Sequence, residues 1–121
     1  MKLNIYRNNV SVIAELDSLN TEICTELDAL DLMAEAGQLG ANKIIIRKSN
    51  ICKEFFDLKT GIAGAILQKF SNYRMQLAIV GDFSEFKSKS LTHFIYESNR
   101  TGRIFFTDTI NEAIRKLSKS A

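Results

Sequence analysis

Three short apolar runs limit what this chain can become: Ile44-Ile45-Ile46, Leu77-Ala78-Ile79-Val80 and Ile104-Phe105-Phe106. None has a polar position to turn toward water, so each reads as a strand covered on both faces. The segments between them carry apolar residues at helical spacing. Ile62, Ala63, Ile66, Leu67 and Phe70 form a broad stripe after Gly61, and Leu91, Phe94 and Ile95 form another before Gly102. Strands that reach one another through helices pair in parallel, by right-handed crossovers.

The two ends of the chain extend the pattern. Leu3 and Ile5 alternate with polar neighbours, Asn8-Asn9 offers a turn, and Val10-Ser11-Val12-Ile13 resumes β-type residues, as in a hairpin. Leu30, Met33, Ala34 and Gly37 then share one helical face, with a capping box at Thr25 and Asp28 and a stop at Gly40. Thr109 and Glu112 open a last helix lined by Ile110, Ala113, Ile114 and Leu117. The predicted fold is α/β: a mixed, mostly parallel sheet, with an opening hairpin followed by βα units and about four helices packed on it. Leu30, Ile66, Leu67, Phe70, Phe94, Ile95, Ile114 and Leu117 are expected to join the strand residues in the core.

With 121 residues there is room for one core, and 45% hydrophobic residues suffice to build it without metals or disulfides. No proline, repeat or low-complexity stretch marks a linker, so a single domain over residues 1–121 is expected. A net charge of +2 is too small for the concentrated basic face of a nucleic-acid protein, and no nucleic acid is expected as a partner. The apolar runs fall far short of the roughly 20 residues needed to span a membrane, so no membrane partner is expected either. Met1-Lys2-Leu3-Asn4-Ile5 alternates, unlike a signal peptide, and a cytoplasmic location is expected. Cys24 and Cys52 lack metal-ligand spacing. Free thiols fit that compartment, although the sequence leaves a disulfide open.

In sheets of this kind ligands are met beyond the carboxyl ends of the strands. Segments 48–59, 81–89 and 107–109 should gather there, together with the amino ends of the helices that follow. Thr60 is placed to cap the helix after Gly61, next to Lys59 and close to Asp57. A lysine at a helix amino end is opposed by the dipole, and an anion would relieve that, so Thr60, Lys59, Gly61 and Asp57 form a candidate switch or anion site. Phe55, Phe83 and Phe86, with Lys87 and Ser88, stand outside any apolar period. They either fold in to cap the core or present a partner or ligand surface. Asp57, Asp82 and Asp108 each follow a buried strand and could hold Mg²⁺, but Asp is also a good cap, and no metal or other cofactor is expected. His93 has no nucleophile beside it, so no catalytic constellation is visible and an enzyme is not expected.

The hairpin, the strand–helix order and the turn Phe55-Phe56-Asp57-Leu58-Lys59-Thr60-Gly61 together resemble the STAS domain of sulphate transporters and anti-sigma factor antagonists. The chain is also similar, over nearly its full length, to small uncharacterised bacterial proteins. The shared segments are FFDLKTG (55–61), LQKFSNYR (67–74), LAIVGDFS (77–84), SKSL (88–91) and FIYESN (94–99). The STAS resemblance implies a regulatory module. In such antagonists a Ser or Thr just before the Gly at the second helix start is reversibly phosphorylated and controls binding to a kinase, and Thr60 stands there. This sequence departs in its Leu58-Lys59, where the domain has a small hydroxyl residue and a shorter turn. The expected function is a non-enzymatic regulatory or protein-interaction module. The alternative is a binder of a small anionic or amphipathic ligand at the same edge.

Overall fold

The apolar runs form the middle and far strands of a five-stranded sheet in the computed structural model, which describes residues 1–119. The strands are β1 (Leu3–Arg7), β2 (Val12–Leu16), β3 (Lys43–Arg47), β4 (Gln76–Val80) and β5 (Ile104–Thr107). The helices are α1 (Glu26–Gln38), α2 (Ile62–Asn72), α3 (Lys89–Thr101) and α4 (Ile110–Lys119). β1 pairs antiparallel with β2, and every later pairing is parallel, as expected for strands joined through helices. The hairpin turn is made by Asn8, whose Oδ1 accepts from the N–H groups of Val10 at 2.9 Å and Ser11 at 2.8 Å. That turn takes in Val10 and Ser11, so the second strand starts at Val12 rather than Val10.

The strands lie in the order β1-β2-β3-β4-β5. When parallel strands follow sequence order, crossovers of one hand put every connecting helix on the same face. The core divides accordingly. Ala14, Leu16, Ile44, Ile46, Leu77, Ile79, Ile104 and Phe106 pack with residues of α1, α2 and α3. Ile13, Ile45, Ala78, Val80 and Phe105 point the other way and are covered by Ala113 and Leu117 of α4. Lys43 anchors that single helix: its ammonium is buried and donates to the Leu117 carbonyl at 2.6 Å and to Ser11 Oγ at 2.8 Å. A cation suits the carboxyl end of a helix.

The face of α1 differs from the one read in the sequence. Ala29, Leu32, Met33 and Ala36 are buried, whereas Leu30 is half-buried and Ala34 and Gly37 are exposed. One position of rotation separates the two stripes. Small alanines face the sheet because α1 packs closely, and Leu30, Met33, Ala34 and Gly37 instead line an outer groove with Tyr73 and Met75. Leu67, Phe94, Ile95 and Ile114 likewise pack on the core at its margin, half-buried. The buried residues of α2 are Ala63, Ile66 and Phe70. α1 ends as expected, with the N–H groups of Gly40 and Ala41 turned back to the carbonyls of Gly37 and Ala36 at 3.0 Å each.

Candidate functional site

Because the strand order never reverses, the sheet has no switch-point crevice of the kind that holds ligands in doubly wound folds. What the carboxyl edge has instead is three loops locked together. Asn50 is completely buried and donates to the carbonyls of Ser18 at 3.0 Å and Asn20 at 2.9 Å, while its Oδ1 accepts from the Arg47 N–H at 2.9 Å. A parallel bridge between Ile23 and Ile51 continues that contact. Lys48 joins the next loop: it donates to the Asp82 carbonyl at 2.8 Å, pairs with Glu85 and lies over the Phe86 ring. Gly81 makes room for it, since a Cβ there would stand 2.6 Å from the Lys48 Cβ.

Thr60 sits at the end of a 3₁₀ turn, Leu58–Thr60, just ahead of α2. The helix N-cap is Gly61, in the left-handed region at φ 77°, and not Thr60. Thr60 still does part of a cap's work, because its hydroxyl accepts from the Ile62 N–H at 3.2 Å. The same hydroxyl lies 2.8 Å from the carbonyls of Glu54 and Asp57, to which its one proton is shared. Asp57 caps the turn by accepting from the Lys59 N–H at 3.2 Å. Asp57, Lys59, Thr60 and Gly61 are all exposed.

Beside Thr60 a groove of about 340 Å³ runs between the amino ends of α1 and α2, lined by Cys24, Thr25, Glu26, Thr60, Gly61, Ile62, Ala65 and Ile66. One wall is negative through Glu26, which pairs with Lys69 at 3.7 Å. Nothing in the apolar periodicity pointed to residues 17–25 as part of this edge. The capping box at Thr25 and Asp28 was the available signal, since it puts the amino end of α1 beside that of α2.

The aromatic residues fold inward. Phe55 is 1% exposed and therefore belongs to the core, which corrects its assignment to a partner surface. Phe56 stacks on Phe86 at 4.9 Å between centroids and meets Phe83 at 6.0 Å, and Phe83 lies edge-on to Phe106 at 5.2 Å. Burial of ring area drives this closure, and offset or edge-on contacts favour it further. Phe83 and Phe86 remain half-buried at the surface, with Lys87 exposed next to them. Ser88 is the N-cap of α3 and accepts from the Leu91 N–H at 3.2 Å. Lys87, Lys89, Thr92, His93 and Tyr96 border a shallow hollow on the outside of that helix.

The aspartates do not converge. Asp82 closes an Asx turn, accepting from the Ser84 hydroxyl at 2.6 Å and the Ser84 N–H at 2.9 Å, and these bonds hold its carboxyl below the usual range. Among the described residues no three His, Cys, Asp or Glu side chains are grouped closely enough to hold a metal ion. Likewise, no helix among them is long and apolar enough to cross a membrane.

Comparison with known proteins gives a family match over residues 7–117, to a domain of unknown function (DUF4180). No curated protein matches the chain. Among solved structures, the NMR structure of the protein TM1081 is similar at 20% identity, covering 99% of this chain and 91% of that one with a TM-score of 0.48. Since the family match takes in both sides of the sheet and the whole carboxyl edge, this chain belongs to the DUF4180 family, a domain of unknown function.

Proposed function

We propose that this protein is a non-enzymatic regulatory module that binds a protein partner through the carboxyl edge of its sheet, around Thr60, in the manner of anti-sigma factor antagonists. The observation that carries this reading is an exposed hydroxyl on the entry to α2, standing over a groove on an edge whose loops are held rigid by Asn50 and Lys48. A phosphate on Thr60 would add roughly 1.5 to 2 negative charges at a helix amino end, beside Lys59. It would also displace the hydroxyl from the Glu54 and Asp57 carbonyls, so the turn would change shape as well as charge. The carboxylates of the edge are engaged in caps and turns, an arrangement that suits a recognition surface better than acid–base chemistry.

Pull-down from the native cell with wild type, Thr60→Ala and Thr60→Glu tests the reading. Thr60→Ala should retain the partner and cost about 0.5–1.5 kcal/mol of stability through the lost hydroxyl hydrogen bonds to the Ile62 N–H and the Glu54 and Asp57 carbonyls. Thr60→Glu should lose the partner while remaining folded. Equal recovery from all three proteins would overturn the switch. The groove between α1 and α2, apolar along Ile62, Ala65 and Ile66, favours a second reading, a small amphipathic ligand at the same edge, whereas its Glu26 wall works against an anionic one. A rise in Tm with such compounds, abolished by Gly61→Leu, would select it.

A further inference from the structure

Cys24 and Cys52 are 28 positions apart in sequence, yet they sit side by side at the carboxyl edge. Each follows a member of the isolated parallel bridge between Ile23 and Ile51, so they stand next to each other on two loop segments that the bridge holds side by side. Segments paired by a β-bridge run roughly 4.8 Å apart at the bridge, within the about 4.4–6.8 Å that a disulfide needs between its Cα atoms. Both backbones are held. The Cys24 N–H donates to Asp28 Oδ2 at 2.9 Å and the Cys52 N–H to the Ile23 carbonyl at 3.1 Å. Cys52 Sγ lies 4.0 Å from the Cys24 carbonyl, and both residues are half-buried, open to a small oxidant.

We infer that Cys24 and Cys52 are a redox modification site, forming a reversible intramolecular disulfide on exposure to peroxide. The Cys52 thiolate attacks one peroxide oxygen: the S–O bond forms, the O–O bond breaks, and the departing hydroxide takes up the proton that Cys52 released. The Cys24 sulfur then attacks the Cys52 sulfur. The S–S bond forms, the S–O bond breaks, and the second hydroxide leaves as water with the Cys24 proton. Two thiols lose two electrons and two protons, and the peroxide is reduced to two waters. Ionisation of one thiol opposes that of the other: the Cys24 thiol is pushed up to about 11, first by its hydrogen bond with Cys52, then by burial and the Cys52 charge, so one sulfur of the pair attacks while the other still holds its proton. The order in which Cys52 attacks and Cys24 resolves is what the single-cysteine variants test. The new bond would tie the loop before α1 to the loop before α2 and alter the Cys24 wall of the groove. This site stands whether or not Thr60 contacts a partner.

The test uses the full chain, reduced with dithiothreitol, desalted and treated with hydrogen peroxide. The expected product is monomeric and about 2 Da lighter, with neither thiol open to alkylation and one peptide linking Cys24 to Cys52. Dithiothreitol should restore both thiols. Cys24→Ser should stop at a sulfenic acid on Cys52 that dimedone traps. Sulfinic acid on one cysteine with the other still free, disulfide-linked dimers, or two thiols that remain alkylatable would each overturn the proposal. A dimedone adduct on Cys24 of Cys52→Ser, at equal or higher yield, would overturn the assignment of the attacking sulfur.

Discussion

The Asp28 carboxylate accepts from the N–H groups of Cys24 at 2.9 Å and Thr25 at 3.0 Å, while the Thr25 hydroxyl accepts from the Asp28 N–H at 3.1 Å. The capping box was therefore legible from two residues three apart, because its partners are local. The Cys24 N–H, then that of Thr25, hold the carboxyl below its ordinary 3.8. A depressed folded value means that the contribution is present above the unfolded value and is lost as pH falls through the folded one. Urea midpoints for wild type and Asp28→Asn should thus differ at pH 6, draw together as the pH falls below about 3.8 and converge only once it has passed the folded value beneath that; a constant gap would count against the box. Thr60 was legible as a helix-entry hydroxyl for the same local reason. Its bond to the Glu54 carbonyl, six residues back, was not, since it depends on the path of the intervening 3₁₀ turns.

Among the elements, the helices were visible in the sequence but their rotation was not. α1 presents two apolar stripes one position apart, and periodicity alone does not choose between them. The sheet chose Ala29, Leu32 and Ala36, leaving Leu30 at the margin beside Tyr73 and Met75. The same distinction on α2 can be measured. Ile66 is 2% exposed and sits under the helix, whereas Leu67 is half-buried on its flank. Ile66→Ala should cost about 2–5 kcal/mol in urea unfolding, and Leu67→Ala less than half of that. Equal losses would mean that α2 is turned in its groove. The aromatic loop follows the same rule: Phe83 and Phe86 lay outside every period because they close over Phe56 and Phe106, which are distant in sequence.

At the scale of the whole molecule the sheet is covered unequally, by three helices on one face and α4 alone on the other. Ile13, Ile45, Ala78, Val80 and Phe105 depend on that one helix for shelter. Exposing these apolar side chains to water costs far more than a domain of this size has in reserve, about 5–15 kcal/mol. A chain ending at Asp108 should therefore lose its cooperative urea transition and bind the dye ANS. A sharp transition in that truncated chain would show that α4 is an appendage.

Strand and helix identities, their order, the parallel pairing and the caps at Thr25 and Thr109 were determined by the sequence alone. They rest on interactions within a few residues, or on runs too apolar to face water. The tertiary structure alone decided which stripe of α1 is inside, that Phe55 is core rather than surface, and that Asn50 binds the loops. It also decided that Cys24 and Cys52 meet across a bridge. Each of these is a contact between segments far apart in the chain, and it exists only once the sheet has set their register.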